Sequence, residues 1–261
     1  MGRLEGKVAI VTGGAGGGIG HGISTVLAAE GAHVVIFEID LESSRLLQKR
    51  IEADGGGASV VRADISKAAE VLSAIEDVVR RHQRLDVLVN NAGIGLVRSL
   101  AEATEEEFDR VASVDLRGMW LCCKYAIPHM QKQKGGAIVN ISSVHSRTTL
   151  PLFGIYAAMK AGVGGLTRGI AVQYGADNIR ANVICPGMVD GAQTREVMAK
   201  FTPDVDAWMT KRVRRQAIPQ PIQPEDVGHL AAFLASDQAR CITGVEIPLD
   251  AGSWAQISSC D

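Results

Sequence analysis

Short apolar runs alternate with helix-length amphipathic segments along this chain, and that rhythm leaves few folds open. Residues 7–12, 33–39, 58–63, 85–90, 137–142, 179–185 and 245–249 read as strands. Residues 19–30, 41–54, 67–82, 104–131, 155–174 and 224–235 read as helices. Strands this apolar on both faces suit a parallel sheet covered by helices on each side. Strict alternation of the two elements gives a doubly wound α/β fold. The 261 residues contain no repeat, linker or low-complexity stretch, so a single domain spanning 1–261 is expected. Only residues 188–223 break the rhythm, with Gly191, Pro203, Pro219 and Pro221 among many charges. A long connection directly after the sixth strand predicts a lid over a substrate site.

Composition narrows the function. The chain is 46% hydrophobic but only 4% aromatic, so Val, Ile, Leu and Ala fill the core. A net charge of -2 argues against a nucleic-acid or anionic-membrane surface. No apolar run approaches the ~20 residues of a membrane span, and the N-terminal residues lack a signal-peptide core. The cysteines, Cys122, Cys123, Cys185, Cys241 and Cys260, form no Cys-x-x-Cys pair. They read as reduced thiols of a cytoplasmic protein, and the scattered histidines predict no metal.

A glycine cluster, Thr12-Gly13-Gly14-Ala15-Gly16-Gly17-Gly18-Ile19-Gly20, lies between the first strand and the first helix. Glycines there let backbone approach a pyrophosphate, and a helix N-terminus attracts the anion. No register fits Gly-x-Gly-x-x-Gly, so the general dinucleotide fingerprint is unmet. Glu38 ends the second strand eighteen residues past Gly20, close to the ~20 expected for an acid on a ribose 2′-hydroxyl. A carboxylate there accepts from NAD and repels the NADP 2′-phosphate. Asp40 is the rival acid.

Tyr156 and Lys160 lie four residues apart, one turn on one helix face. Moving a phenol from ~10 to about 7 takes ~4 kcal/mol. One unit charge ~4 Å away supplies roughly that at an effective dielectric of ~20. Tyrosine with lysine one turn later therefore suits general acid/base work at neutral pH.

Several motifs now stand in order. They are the glycine cluster, Asp64-Ile65 after the third strand and Asn90-Asn91-Ala92-Gly93 after the fourth. Ser143 then precedes Tyr156 by thirteen residues, Lys160 follows, and Pro186-Gly187 closes the sixth strand. Over essentially its whole length the chain resembles the short-chain dehydrogenase/reductase family. That resemblance implies a Rossmann-type sheet of about seven strands and a nicotinamide cofactor, NAD rather than NADP. It implies that Gly13, Gly17, Gly18, Ile19 and Gly20 cradle the pyrophosphate. Asp64 would bond the adenine amine, Ile65 would flank the ring, and Asn91, Ala92 and Gly93 would line the adenine ribose. Pro186, Gly187 and Val189 would hold the nicotinamide, and Lys160 would bond its ribose. Tyr156 would exchange the proton while Ser143 fixes the carbonyl oxygen, with His145 and Met188 facing the substrate. It further implies a homotetramer paired through the helices of 104–131 and 155–174.

The chain departs from the family at three places. Its glycine motif is one residue longer, the extra residue falling within Gly14–Gly17. Asp115-Leu116-Arg117-Gly118 replaces Asn-x-x-Gly, so Asp115 joins the candidate catalytic set; ionised near Lys160, it would offset the ammonium. Gly191 stands where a threonine follows Pro-Gly, and Thr194 is the substitute. The expected activity is hydride exchange between NAD(H) and a secondary alcohol or ketone. Residues 142–158 are locally similar to the glucose 1-dehydrogenase branch. A sugar 1-dehydrogenase, a 3-oxoacyl carrier-protein reductase and an NAD-sensing regulator without turnover remain open.

Overall fold

A computed structural model describes residues 2–256; Met1 and residues 257–261, Cys260 among them, lie outside the described residues. The strands are β1 (Val8–Thr12), β2 (His33–Glu38), β3 (Gly57–Arg62), β4 (Val87–Asn90), β5 (Gly136–Ile141), β6 (Ile179–Pro186) and β7 (Glu246–Leu249). They pair in parallel in the order β3-β2-β1-β4-β5-β6-β7. The winding direction reverses between β1 and β4, which opens a crevice at the C-terminal ends of these two strands.

Alternate residues of each strand supply two separate cores. Ala9, Val11, Val34, Ile36, Val87 and Val89 face one layer. Val8, Ile10, Val35, Phe37 and Leu88 face the other. Fully burying one such side chain contributes about 1.5–3 kcal/mol of transfer free energy. Helices α1 (Ile19–Ala29), α2 (Leu41–Ala53) and α9 (Pro224–Ala235) cover the first face. Helices α3 (Ala68–His82), α5 (Met119–Lys132) and α6 (Gly154–Tyr174) cover the second. At Gly228 a side-chain carbon would sit 2.7 Å from the Gly22 carbonyl oxygen, so only glycine lets α1 and α9 lie this close.

Two expectations gain detail. Residues 104–131 are helical almost throughout, but α4 (Glu105–Ala112) passes into a π-helical turn at Ser113–Gly118 before α5 begins. A Thr104–Glu107 capping box starts α4. The wide turn carries Asp115 inward, and such turns concentrate at functional sites. The excursion 188–223 is also more ordered than a loop. It holds α7 (Ala192–Ala199) and α8 (Val205–Val213), and a parallel bridge between Val189 and Ile222 closes its base. Arg195 clamps the two helices, contacting Asp190 at 2.6 Å and Asp206 at 2.7 Å.

Candidate active site

The glycine-rich turn leaves β1 at the crevice. Gly13 adopts φ +60°, and a side-chain carbon there would lie 2.9 Å from Ala92 Cα. Gly16 and Gly17 also adopt left-handed backbone, at φ +73° and +68°, and Gly16 faces open space. Helix α1 begins at Ile19 with no side-chain cap and no acidic residue in its first turn. Its free N–H groups and open glycine backbone fit a pyrophosphate. Asn91 has a bracing part the sequence did not disclose: its Nδ2 donates to the carbonyls of Thr12 at 3.1 Å and Gly13 at 2.8 Å. Thr12 Oγ1 accepts from the Asn91 and Ala92 N–H groups in return.

The two acids after β2 separate by what they touch. Asp40 caps α2, accepting from the N–H groups of Glu42 and Ser43. Among the described residues the Glu38 carboxylate accepts only from the adjoining Ile39 N–H, at 2.9 Å, and stays at the crevice rim. Asp64 turns back on its own loop, accepting from Ser66 Oγ at 2.6 Å, and this bond, foremost, holds its carboxyl below the usual range. Ile65 differs from expectation. It is 94% buried against Gly118, which leaves little surface for a ring. Ile39, 61% exposed beside Glu38, offers that surface instead; an apolar residue directly after the strand-ending acid was the signal.

Where the nicotinamide is expected, Pro186 ends β6 buried and the Gly187 N–H donates to Leu249 O at 2.9 Å. Val189 is buried in the base of the 188–223 excursion, with Met188 half-buried before it. Helix α7 leans on the glycine turn. The Ala192 N–H donates to Gly17 O at 3.0 Å, and Gln193 lies over Gly18. Ala192 and Gln193 thus make the contacts, with Thr194 half-buried behind them.

The residues expected to handle the proton lie at the end of β5 and the start of α6. Ser143 continues β5 in extended backbone, and its Oγ accepts from the His145 N–H at 3.2 Å. Ser142 Oγ donates to Lys160 O at 2.8 Å and ties this strand end to α6. The Lys160 Nζ lies 5.4 Å from the centre of the Tyr156 ring and 3.4 Å from Ile141 O. It also lies 3.1 Å from Asp115 Oδ2, both side chains being buried. The pair is direct. His145 does face Tyr156, with ring centres 5.6 Å apart at right angles and Phe153 stacked beyond at 4.7 Å. Its Nδ1 meets Thr149 Oγ1 at 2.8 Å. Burial, then the nearby Arg212 of α8, holds its pKa below the usual imidazole value.

A turn after β7 braces this centre from far along the chain. Trp254 Nε1 donates to Val144 O at 3.1 Å, and Arg147 stacks 5.0 Å over the Trp254 ring. The buried Asp250 accepts from the Trp254 N–H at 2.7 Å and packs its backbone on Gly187. Elsewhere, burial pushes the Cys123 thiol up to about 12, which leaves it inert. Among the described residues no helix is long and apolar enough to cross a membrane.

Known proteins resemble the chain over nearly its full length. A family model described as enoyl-(acyl carrier protein) reductase matches residues 14–253. A short-chain dehydrogenase/reductase of Armillaria gallica is 39% identical over 256 residues, covering 95% of this chain and 96% of that protein. A 3-oxoacyl-[acyl-carrier-protein] reductase of Thermotoga maritima is 35% identical, covering 96% of this chain and 98% of that protein. The crystal structure of a Burkholderia xenovorans protein assigned to the short-chain dehydrogenases/reductases superposes with a TM-score of 0.94 at 37% identity, covering 99% of this chain and 100% of that one.

Proposed function

Because the chain belongs to the short-chain dehydrogenase/reductase family of oxidoreductases, we propose that it interconverts a secondary alcohol and its ketone with NAD as cofactor. One observation carries the reading. Lys160 lies over the Tyr156 ring and is tied through Ser142 to the strand end that carries Ser143, on the side of the sheet that also presents an uncapped helix N-terminus behind open glycines. A nicotinamide cofactor held there would supply or take up the hydride. Ser143 hydrogen-bonds the substrate oxygen, and the Tyr156 hydroxyl gives the proton in reduction and takes it in oxidation. His145 and Phe153 lie beside Tyr156 and wall the cleft there, and Met188, half-buried in the loop after β6, is expected to face the substrate.

Glu38 supports the cofactor choice, since Asp40 is spent on its helix cap. The test is an absorbance panel of secondary alcohols, sugars, hydroxysteroids and 3-oxoacyl thioesters with NAD and with NADP. Thioesters belong in it because a relative of that activity is 35% identical. We expect NAD to be preferred by at least ~10-fold in kcat/KM, or ~1.4 kcal/mol. Glu38→Ala should shrink that ratio, as it removes both the ribose acceptor and the phosphate repulsion. A wild-type preference for NADP overturns the cofactor reading. Tight NADH binding with no turnover across the panel would favour an NAD-sensing regulator.

Assembly belongs to the same reading. Phe108 and Trp120 leave 44% and 42% of their surface exposed along the α4–α5 segment, as helices awaiting a second copy do. We expect a homotetramer, and a monomeric mass in light scattering at micromolar concentration sinks that expectation.

A further inference from the structure

Asp115 stands in the π-helical turn with no exposed surface. Its Oδ1 accepts from the Ile94 N–H at 2.7 Å, and Oδ2 faces the Lys160 ammonium at 3.1 Å. Glycine at 93 makes room for the pair, since a side-chain carbon there would lie 3.1 Å from both Oδ2 and Nζ. We propose that Asp115 is a positioning residue that offsets part of the Lys160 field at Tyr156 and so shifts alcohol oxidation toward alkaline pH. Ketone reduction, which needs the phenol, does not demand alkaline conditions. This rests on Tyr156 as the proton donor.

The groups around the pair leave it as the local charge balance. From α6 come Tyr156 and Lys160, from the π turn Asp115, and from β6 Cys185, whose thiol burial pushes up and so keeps neutral. Beyond Tyr156 stands His145, held neutral by burial and by Arg212 of α8. Burial by itself would lower the Lys160 pKa; the electrostatics of its neighbours outweigh it and hold the ammonium above its usual range. A permanent cation beside a phenol favours phenolate. A permanent anion 3.1 Å behind that cation opposes the effect.

Asp115→Asn removes the charge and nearly keeps the shape. We expect it to move the acidic limb of the kcat/KM profile for alcohol oxidation to lower pH by about one unit, a tenfold change in phenolate fraction at fixed pH. The second readout needs no turnover. A tyrosinate difference titration of the apo protein, wild type against Tyr156→Phe, isolates Tyr156 itself. The tyrosinate signal of the Asp115→Asn protein should lie about one unit below that of the wild type. Asp115→Glu, which keeps the carboxylate, should leave the limb in place. Superimposable limbs for wild type and Asp115→Asn overturn the proposal. If Asp115→Asn does not fold, Asp115→Ser, which also removes the charge, stands in for it, and an unmoved limb then overturns the proposal. Loss of turnover in Tyr156→Phe together with superimposable limbs would discard this inference alone. Undiminished turnover in Tyr156→Phe would discard the function reading beneath it.

Discussion

Tyr156→Phe is expected to lose ~10²–10⁴ in kcat, the usual worth of a general acid/base, while folding and NADH binding persist. The hydroxyl is the only group removed. The ring keeps its edge contacts with His145 at 5.6 Å and Phe153 at 6.3 Å, and its place under the Lys160 ammonium. Packing is therefore unchanged, and the loss falls on the chemical step. Fluorescence titration with NADH separates the two, because a misfolded variant would lose binding as well as turnover. Near-normal kcat would hand the proton to another group. His145 is then the first suspect, being half-buried beside Tyr156 and held neutral.

Lys160→Met should cost the most in stability, about 3–5 kcal/mol. Breaking a buried ion pair by removing one partner leaves an uncompensated charge. Here that charge is Asp115, with no exposed surface and with Oδ2 facing the lysine alone. Methionine fills much of the lysine volume, so the loss is chiefly electrostatic. The double variant Lys160→Met/Asp115→Asn removes both charges and should recover most of the deficit, since replacing a buried pair outright is often neutral. Denaturant unfolding of the four proteins closes the cycle. A double variant no more stable than Lys160→Met would show that the lysine acts through packing or through its bond to Ile141 O.

The strands were legible because burial on both faces writes an apolar run, as in Val8–Thr12 and Val87–Asn90. Ser143, Tyr156 and Lys160 were legible because spacing along a helix or from a strand end fixes where a side chain points. Helix α7 was not. It has no buried residue, and periodicity marks a helix only through the face it buries. The break at Ser113–Gly118 was hidden for another reason. Its residues read as ordinary helix, and the wide turn coincides with contacts to Lys160 and Ile94 made only in the folded chain. Trp254 escaped notice because its bond to Val144 O joins residues 110 positions apart.

That bond has a consequence for the order in which the molecule is made. Ser143, Tyr156 and Lys160 leave the ribosome well before residues 250–254 do, and β7 can join the sheet only beside a finished β6. A nascent chain ending before Asp250 carries every side chain proposed for the proton transfer. It lacks the indole that holds the Val144 carbonyl and the aspartate backbone that packs on Gly187. The two loops that would grip substrate and nicotinamide share this one late-arriving support.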